Sequence, residues 1–474
     1  MSSLCSISRI PNEVLIEIFL ICLPYISPKY LFDTEEERLQ PAFPHVALQL
    51  SQVCGRWRAL AFSASRLWSQ IIITSSRSEK LLPGGDEMGA CSLLHWTSHY
   101  LVNSRTQPLE IVLQSPRDDQ VDIYKCMAPL IDLILKESHR WRRVHLSLYG
   151  SHIEELSLPE PLPLLEFFHI CATNLPHFVY GLPTFTAPRM QELILSKFSF
   201  PPDADVSYFE PLASPNLAIL CLCFVSVHST LQCLAQASPN LSVTALMAPE
   251  YDGPLTITPI VSHINALTTT SSGDLSVGCS DPLYDLFDNI LYLPNVCLLD
   301  FTGDPCQGSP FPYTPFISFL SRRSPDETPI VNFSLKWWIL KDDFLLQILE
   351  LLPALEHLTI DENFPAVKAN PFNYKRRRDR TLSGTFLRAL RAPTIGSASK
   401  CLLPCLTSLT LTFEKSVDCE AIEDLIQSRQ ERSGPDNVNI SRLDQVSILV
   451  PRELIDIEGI EALRMMDGVV VELV

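Results

Sequence analysis

Apolar residues recur along most of this chain in one short pattern, apolar-x-x-apolar-x-apolar, entered two residues after a proline. It begins at Leu165, Met190, Leu217, Val296, Leu355 and Leu406, behind Pro163, Pro188, Pro215, Pro294, Pro353 and Pro404. The last two apolar residues of a unit, such as Phe168 and Ile170, stand two apart, which in a strand turns both to one face. Proline has no amide hydrogen and disfavours helix in the residue before it, so it ends one element and leads into the next. Leu241 has its proline too, at Pro239, with Thr244 in the middle apolar slot, and looser copies start at Trp141, Ile264, Ile330 and Leu443. Six of the ten steps between successive starts fall within 23–27 residues, and the longest, 51, is about two such steps.

Between these units lie helical patterns, Tyr124 to Ser138 and Asp343 to Leu352, with apolar residues three and four apart. Ala213-Ser-Pro-Asn-Leu217 returns unchanged as Ala237-Ser-Pro-Asn-Leu241. Strand, turn and helix at a steady period predict a solenoid. A doubly wound sheet also alternates strands and helices, but it expects Gly-x-Gly-x-x-Gly after an early strand, and none occurs. Over roughly residues 141–450 the pattern resembles the leucine-rich repeat. It is irregular: the asparagine or cysteine that this family places three positions after the last apolar residue occurs among the six regular units only as Asn363.

The first 75 residues have a different texture. Pro11 precedes a helical run whose Val14, Leu15, Ile18, Phe19 and Cys22 form an apolar stripe, with Glu13 near the positive end of the helix dipole. A second stripe runs through Leu50, Val53, Cys54, Trp57, Leu60 and Ala61, with Arg56 and Arg58 on the other side, and Leu67-Trp68 follows. So few short helices make a small core, so part of this apolar surface is expected to meet a partner.

Ile-Pro-x-Glu-Val-Leu-x-x-Ile-Phe, then Leu-Ser-Gln-Val-Cys-Gly-Arg-Trp-Arg-x-Leu-Ala, then Leu-Trp resemble the F-box in order. The insertion from Pro24 to His45 is longer than that family's usual connection and is similar to many fungal F-box proteins. The resemblance implies docking on the Skp adaptor of a cullin-RING ubiquitin ligase, through Pro11, Leu15, Phe19, Leu50, Val53, Trp57 and Leu60, while the repeats bind a protein target. The expected organisation is α+β overall. A small all-α F-box spans residues 1–75 with an inserted loop at 24–45, residues 76–104 form a linker, and an irregular α/β leucine-rich-repeat-like solenoid spans 105–474.

Composition narrows the function. The chain of 474 residues is 46% hydrophobic and 19% charged, so it folds rather than remaining disordered. Its net charge of −18 repels phosphate backbones, which argues against nucleic acid as a partner. The longest apolar stretches, Leu15 to Ile26 and Leu217 to Val227, are too short to span a bilayer, and the N-terminus does not read as a secretion signal. The protein is therefore expected in the cytoplasm, the nucleus or both, where its fifteen cysteines stay reduced. Lys375-Arg-Arg-Arg-Asp-Arg380 reads as a solvated loop, a nuclear-import signal or a site for an acidic partner.

No P-loop, His-Glu-x-x-His, Gly-x-Ser-x-Gly or Cys-x-x-Cys pair occurs, and Cys401 and Cys405 have no second pair to complete a zinc site. The expected protein is not an enzyme and needs no metal or cofactor. The alternatives are an F-box scaffold acting outside a ligase and a hydrolase whose triad is assembled from distant residues. If the strands line a concave surface, the outward positions are the third, fifth and seventh of each unit. They are apolar early in the chain (Phe167, Ile194, Ile219) and polar later, where Asp300, His357, Thr359 and Asp361 are the candidate target contacts.

Overall fold

Each of the eleven apolar-x-x-apolar-x-apolar starts leads within two residues into a β-strand. In the six regular units every apolar residue of the pattern is at most 3% exposed. The computed structural model describes residues 6–23, 46–74, 86–115, 121–154, 156–172, 179–180, 185–200, 206–247, 259–271, 282–303, 311–324, 327–338, 340–362, 382–393, 401–413, 417–430, 440–451 and 457–473. The inserted loop, Asn363 and the basic run Lys375–Arg380 lie outside these residues.

The chain divides into two compact units, residues 1–198 with 203–217, and residues 199–202 with 218–474. The elements of the first are α1 (Asn12–Ile21), α2 (Val46–Val53), α3 (Gly55–Ser63), β1 (Gln70–Thr74), α4 (Asp86–Ser104), β2 (Leu109–Gln114), α5 (Val121–Leu135), β3 (Trp141–Leu148), α6 (Gly150–Glu154), β4 (Phe167–Ala172), β5 (Val179–Tyr180) and β6 (Glu192–Ser196), followed by β7 (Phe198–Ser199). Its main strands run parallel in the order β1-β2-β3-β4-β6.

The stretch expected as a linker is largely the helix α4, and the sheet begins earlier than the repeats, at β1. The reason is Trp68, which no three-helix module this small could enclose alone. It is fully buried by stacking on Phe62 at 5.1 Å and by edge contacts with His99 and Tyr100 of α4 at 5.2 and 5.1 Å.

The second unit contains β8 (Ile219–Val225), α7 (Val227–Gln236), β9 (Ser242–Met247), β10 (Ile260–Val261), β11 (Ala266–Ser271), α8 (Pro282–Asn289), β12 (Ile290–Tyr292), β13 (Leu298–Thr302), α9 (Tyr313–Ser321), β14 (Asn332–Lys336), α10 (Asp342–Glu350), β15 (His357–Asp361), α11 (Gly384–Ala389), β16 (Ser408–Thr412), α12 (Cys419–Gln430), β17 (Gln445–Val450), α13 (Ile457–Arg464) and β18 (Val469–Leu473). Nine strands pair in parallel in the order β8-β9-β11-β13-β14-β15-β16-β17-β18. A doubly wound sheet reverses its strand order part-way; within each unit the main strands follow chain order throughout.

Burial alternates strictly along β9, β13 and β14. One face of each strand carries Val, Leu, Ile and Phe into a core covered by α7 to α13, each helix touching the next. The other face is mainly polar in its middle strands, with apolar residues such as Ile219, Leu246, Leu449 and Val470 toward its ends. No strand lies between the two ends of the 51-residue step, because β15 pairs directly with β16, His357 opposite Ser408. Among the described residues no helix is long and apolar enough to cross a membrane.

Candidate functional site

The N-terminal helices divide their apolar residues between two jobs. Leu15 and Phe19 of α1 are 2% and 1% exposed, Leu60 of α3 is 8% exposed, and Phe19 meets Trp57 with ring centroids 4.8 Å apart. These residues are the core of the module. Val14, Ile18 and Ile21, which repeat at four and three residues about 100° round the same helix, are 47%, 40% and 81% exposed, as is Val53 at 60%. The single stripe read from the sequence is therefore two stripes side by side.

The seven expected adaptor contacts divide by burial. Leu15, Phe19 and Leu60 offer a partner no surface, whereas Pro11 and Val53 are exposed and Leu50 and Trp57 half-buried. Val14, Ile18 and Ile21 of α1 are exposed. Arg56 fixes the orientation of α1: its Nη2 donates to the Ile10 carbonyl and, at 2.8 Å, to Asn12 Oδ1. At the start of α3, the Cys54 thiol accepts from the Trp57 amide at 3.4 Å.

On the outward face of the second unit, cross-strand register aligns Thr244, Thr268, Asp300, Ser334, Thr359, Thr410 and Ser447 in one row over seven strands. The next row is Thr270, Thr302, Lys336, Asp361 and Thr412. All four candidate target contacts lie on this face: His357 is exposed, while Asp300, Thr359 and Asp361 are half-buried among their neighbours. Two residues between them were missed, Ser334 and Lys336 of β14. The looser unit at Ile330 already placed them outward, since Phe333 and Leu335 point into the core.

Lys336 stands directly opposite Asp361, and its Nζ lies 3.0 Å from Asp300 Oδ2. Asp300 Oδ1 and the Ser334 hydroxyl, on adjacent strands, have no hydrogen-bond partner among the described residues.

The outward positions of the first unit differ, since Phe167, His169, Ile194 and Ser196 are each at most 5% exposed. They hold a buried polar chain: His145 Nδ1 to His169 Nδ1 at 2.7 Å and His169 Nε2 to the Ser196 hydroxyl at 3.0 Å. Burial lowers the pKa of both histidines, that of His145 to about 3, and pushes the neighbouring Cys171 thiol up. A serine hydroxyl hydrogen-bonded to a histidine is the first half of an acyl-transfer relay, but the third member here is a histidine in place of a carboxylate. The Ser196 hydroxyl belongs to a residue only 5% exposed. Among the described residues no group of three or more His, Cys, Asp or Glu side chains is placed to hold a metal ion.

A family profile described as F-box-like matches residues 7–74. No curated protein matches the chain. Among solved structures, similarity extends to the leucine-rich repeat-containing protein LegL7 from Legionella pneumophila, at 16% identity over 65% of this chain and 90% of that one, with a TM-score of 0.27.

Proposed function

We propose that this chain is the target-recognition subunit of a Skp-cullin-F-box ubiquitin ligase. The F-box-like module docks on a Skp adaptor, and a leucine-rich-repeat-like solenoid holds a protein target. Other subunits transfer ubiquitin, so this chain itself catalyses nothing and needs no cofactor. Its contribution is proximity: a target lysine held beside a charged ubiquitin carrier meets it at a much higher effective concentration than in free solution. The long insertion after α1 fits the fungal form of the module.

The observation that carries this reading is the exposed stripe Val14, Ile18 and Ile21 with Val53, apolar surface that the module's own core does not use. Neighbouring exposed apolar side chains on a helix that is already packed through its other face favour a docking surface.

Co-purification with a Skp adaptor tests it. Ile18→Asp with Val53→Asp should abolish binding while the circular dichroism spectrum stays unchanged, because neither side chain is in the core. Retained binding by that variant, or no binding by the wild type, would overturn the reading. Target ubiquitylation that requires the cullin then separates a ligase subunit from a scaffold.

A further inference from the structure

We infer that the partner of the outward face of the second unit is an extended protein segment bearing arginine or lysine, with Asp300 and Asp361 receiving its cations and Lys336 holding their place until it arrives. The inference rests on the proposal that this face captures the target, and it names the chemistry of what is captured.

Charge carries the first half of the argument. In the rows set by the strand register, the second continued from Thr412 through Leu449 to Glu472 of β18, the charged residues are Asp300, Asp361 and Glu472 against the single cation Lys336. An excess of carboxylates on a face with few other long side chains attracts a basic partner and repels phosphate. Lys336 does not cancel the attraction. Its ammonium reaches one oxygen of Asp300 and leaves the buried Oδ1 without a partner among the described residues, and at 34% exposure it is free to swing into water on its flexible stem and uncover that carboxylate. A guanidinium, planar and with five donors, is better matched to a carboxylate than the ammonium it would displace.

The hydroxyls carry the second half. Ser334, Thr359 and Thr410 lie side by side on strands about 4.8 Å apart, with Thr268 on the far side of Asp300, short groups that both donate and accept. A row of this kind suits a chain whose own backbone amides and carbonyls are unpaired, which is the condition of an extended segment and not of a helix. The short side chains also leave the face shallow, so that long basic side chains can reach the carboxylates.

The test is fluorescence anisotropy of the full chain with two labelled peptides, one alternating arginine and serine, the other glutamate and serine. The arginine peptide should bind, more weakly as salt rises, and the glutamate peptide should not. Asp300→Asn with Asp361→Asn should weaken the arginine peptide roughly tenfold, on the scale of two partly exposed ion pairs. Lys336→Met should tighten it about threefold by unmasking Asp300, whereas loss of fold would weaken it. Equal or better binding of the glutamate peptide, binding of neither, or weaker binding by a folded Lys336→Met would overturn the inference. Adaptor co-purification on the same preparations separates the two readings: adaptor bound without the arginine peptide defeats this inference alone, and the peptide bound without adaptor defeats the ligase reading alone.

Discussion

His145 on β3 and His169 on β4 face each other across the sheet, their Nδ1 atoms 2.7 Å apart in a site that water does not reach. One ring must donate and the other accept, and both must be uncharged, since burial holds His145 near a pKa of about 3 and His169 well below its ordinary value. The unfolded chain takes up protons on both rings below about pH 6.5, and the folded chain does not. The pair therefore costs nothing above that pH and drains stability as pH falls from there toward the folded values. The loss is about 1.4 kcal/mol per pH unit for each ring. Urea midpoints should fall more steeply between roughly pH 6.5 and pH 4.5 in the wild type than in His145→Leu with His169→Leu. Parallel pH profiles would show that the rings are charged in the folded state.

Gly303 follows β13 where two backbones come close. Its amide donates to the Lys336 carbonyl at 2.8 Å, and Trp337 turns to a positive φ of 61° while its own amide donates to Asp361. A Cβ on Gly303 would sit 2.5 Å from the Trp337 carbonyl oxygen and 3.2 Å from the Trp338 ring, neither of which is the yielding end of a flexible side chain. Gly303→Ala should cost about 1–3 kcal/mol. Chemical denaturation checks it, and an unchanged midpoint would mean that the turn relaxes freely.

Arg429 on α12 is fully buried, and among the described residues no carboxylate pairs with it. Its Nε and Nη2 donate to the Leu390 carbonyl at 3.0 and 2.9 Å, and its Nη1 donates to the Leu403 carbonyl at 2.9 Å. It thus ties the end of α11 to the turn before β16. Arg429→Met should lose about 2–4 kcal/mol, because two buried carbonyls are left unpaired. Arg429→Lys should recover part of that loss, since one ammonium cannot reach both carbonyls as the fork does. If the methionine variant melts with the wild type, water enters and replaces the guanidinium.

Much of the fold was legible because proline and the apolar triplet both act locally. A residue without an amide hydrogen followed by core residues two apart fixes a strand and its buried face, and Leu358, Ile360, Leu409 and Leu411 lie where that reasoning put them. What escaped was set by partners distant in sequence. Trp68 needed α4 as a cover, which turned an expected linker into a helix. Arg429 continues the buried stripe of Ile422, Leu425 and Ile426, so periodicity places it inside although its charge argues otherwise; the carbonyls that permit this are 26 and 39 residues away. In α1 every apolar residue looked equivalent until the packing of Phe19 on Trp57 showed which side faces inward.

That packing makes Arg56 a positioning residue. The start of α1 has no side-chain cap of its own. Instead Arg56 Nε and Nη2 reach Asn12 Oδ1 at 3.1 and 2.8 Å, and Nη2 also takes the Ile10 carbonyl. The contact touches none of Val14, Ile18, Ile21 or Val53, yet it sets the pitch at which α1 presents its exposed stripe. Arg56→Ala should leave the core of Leu15, Phe19 and Leu60 intact and lower the melting temperature little, because these bonds are largely solvent-exposed and worth about 1 kcal/mol in total. Adaptor affinity should nevertheless fall roughly fivefold, as α1 gains freedom that binding must then remove. Arg56→Lys, which can keep one of the contacts but not the fork, should fall between the two. Adaptor affinity measured by calorimetry beside a melting curve decides it: loss of affinity in step with loss of stability would make Arg56 a plain structural residue, and unchanged affinity would show that α1 is held by its core alone.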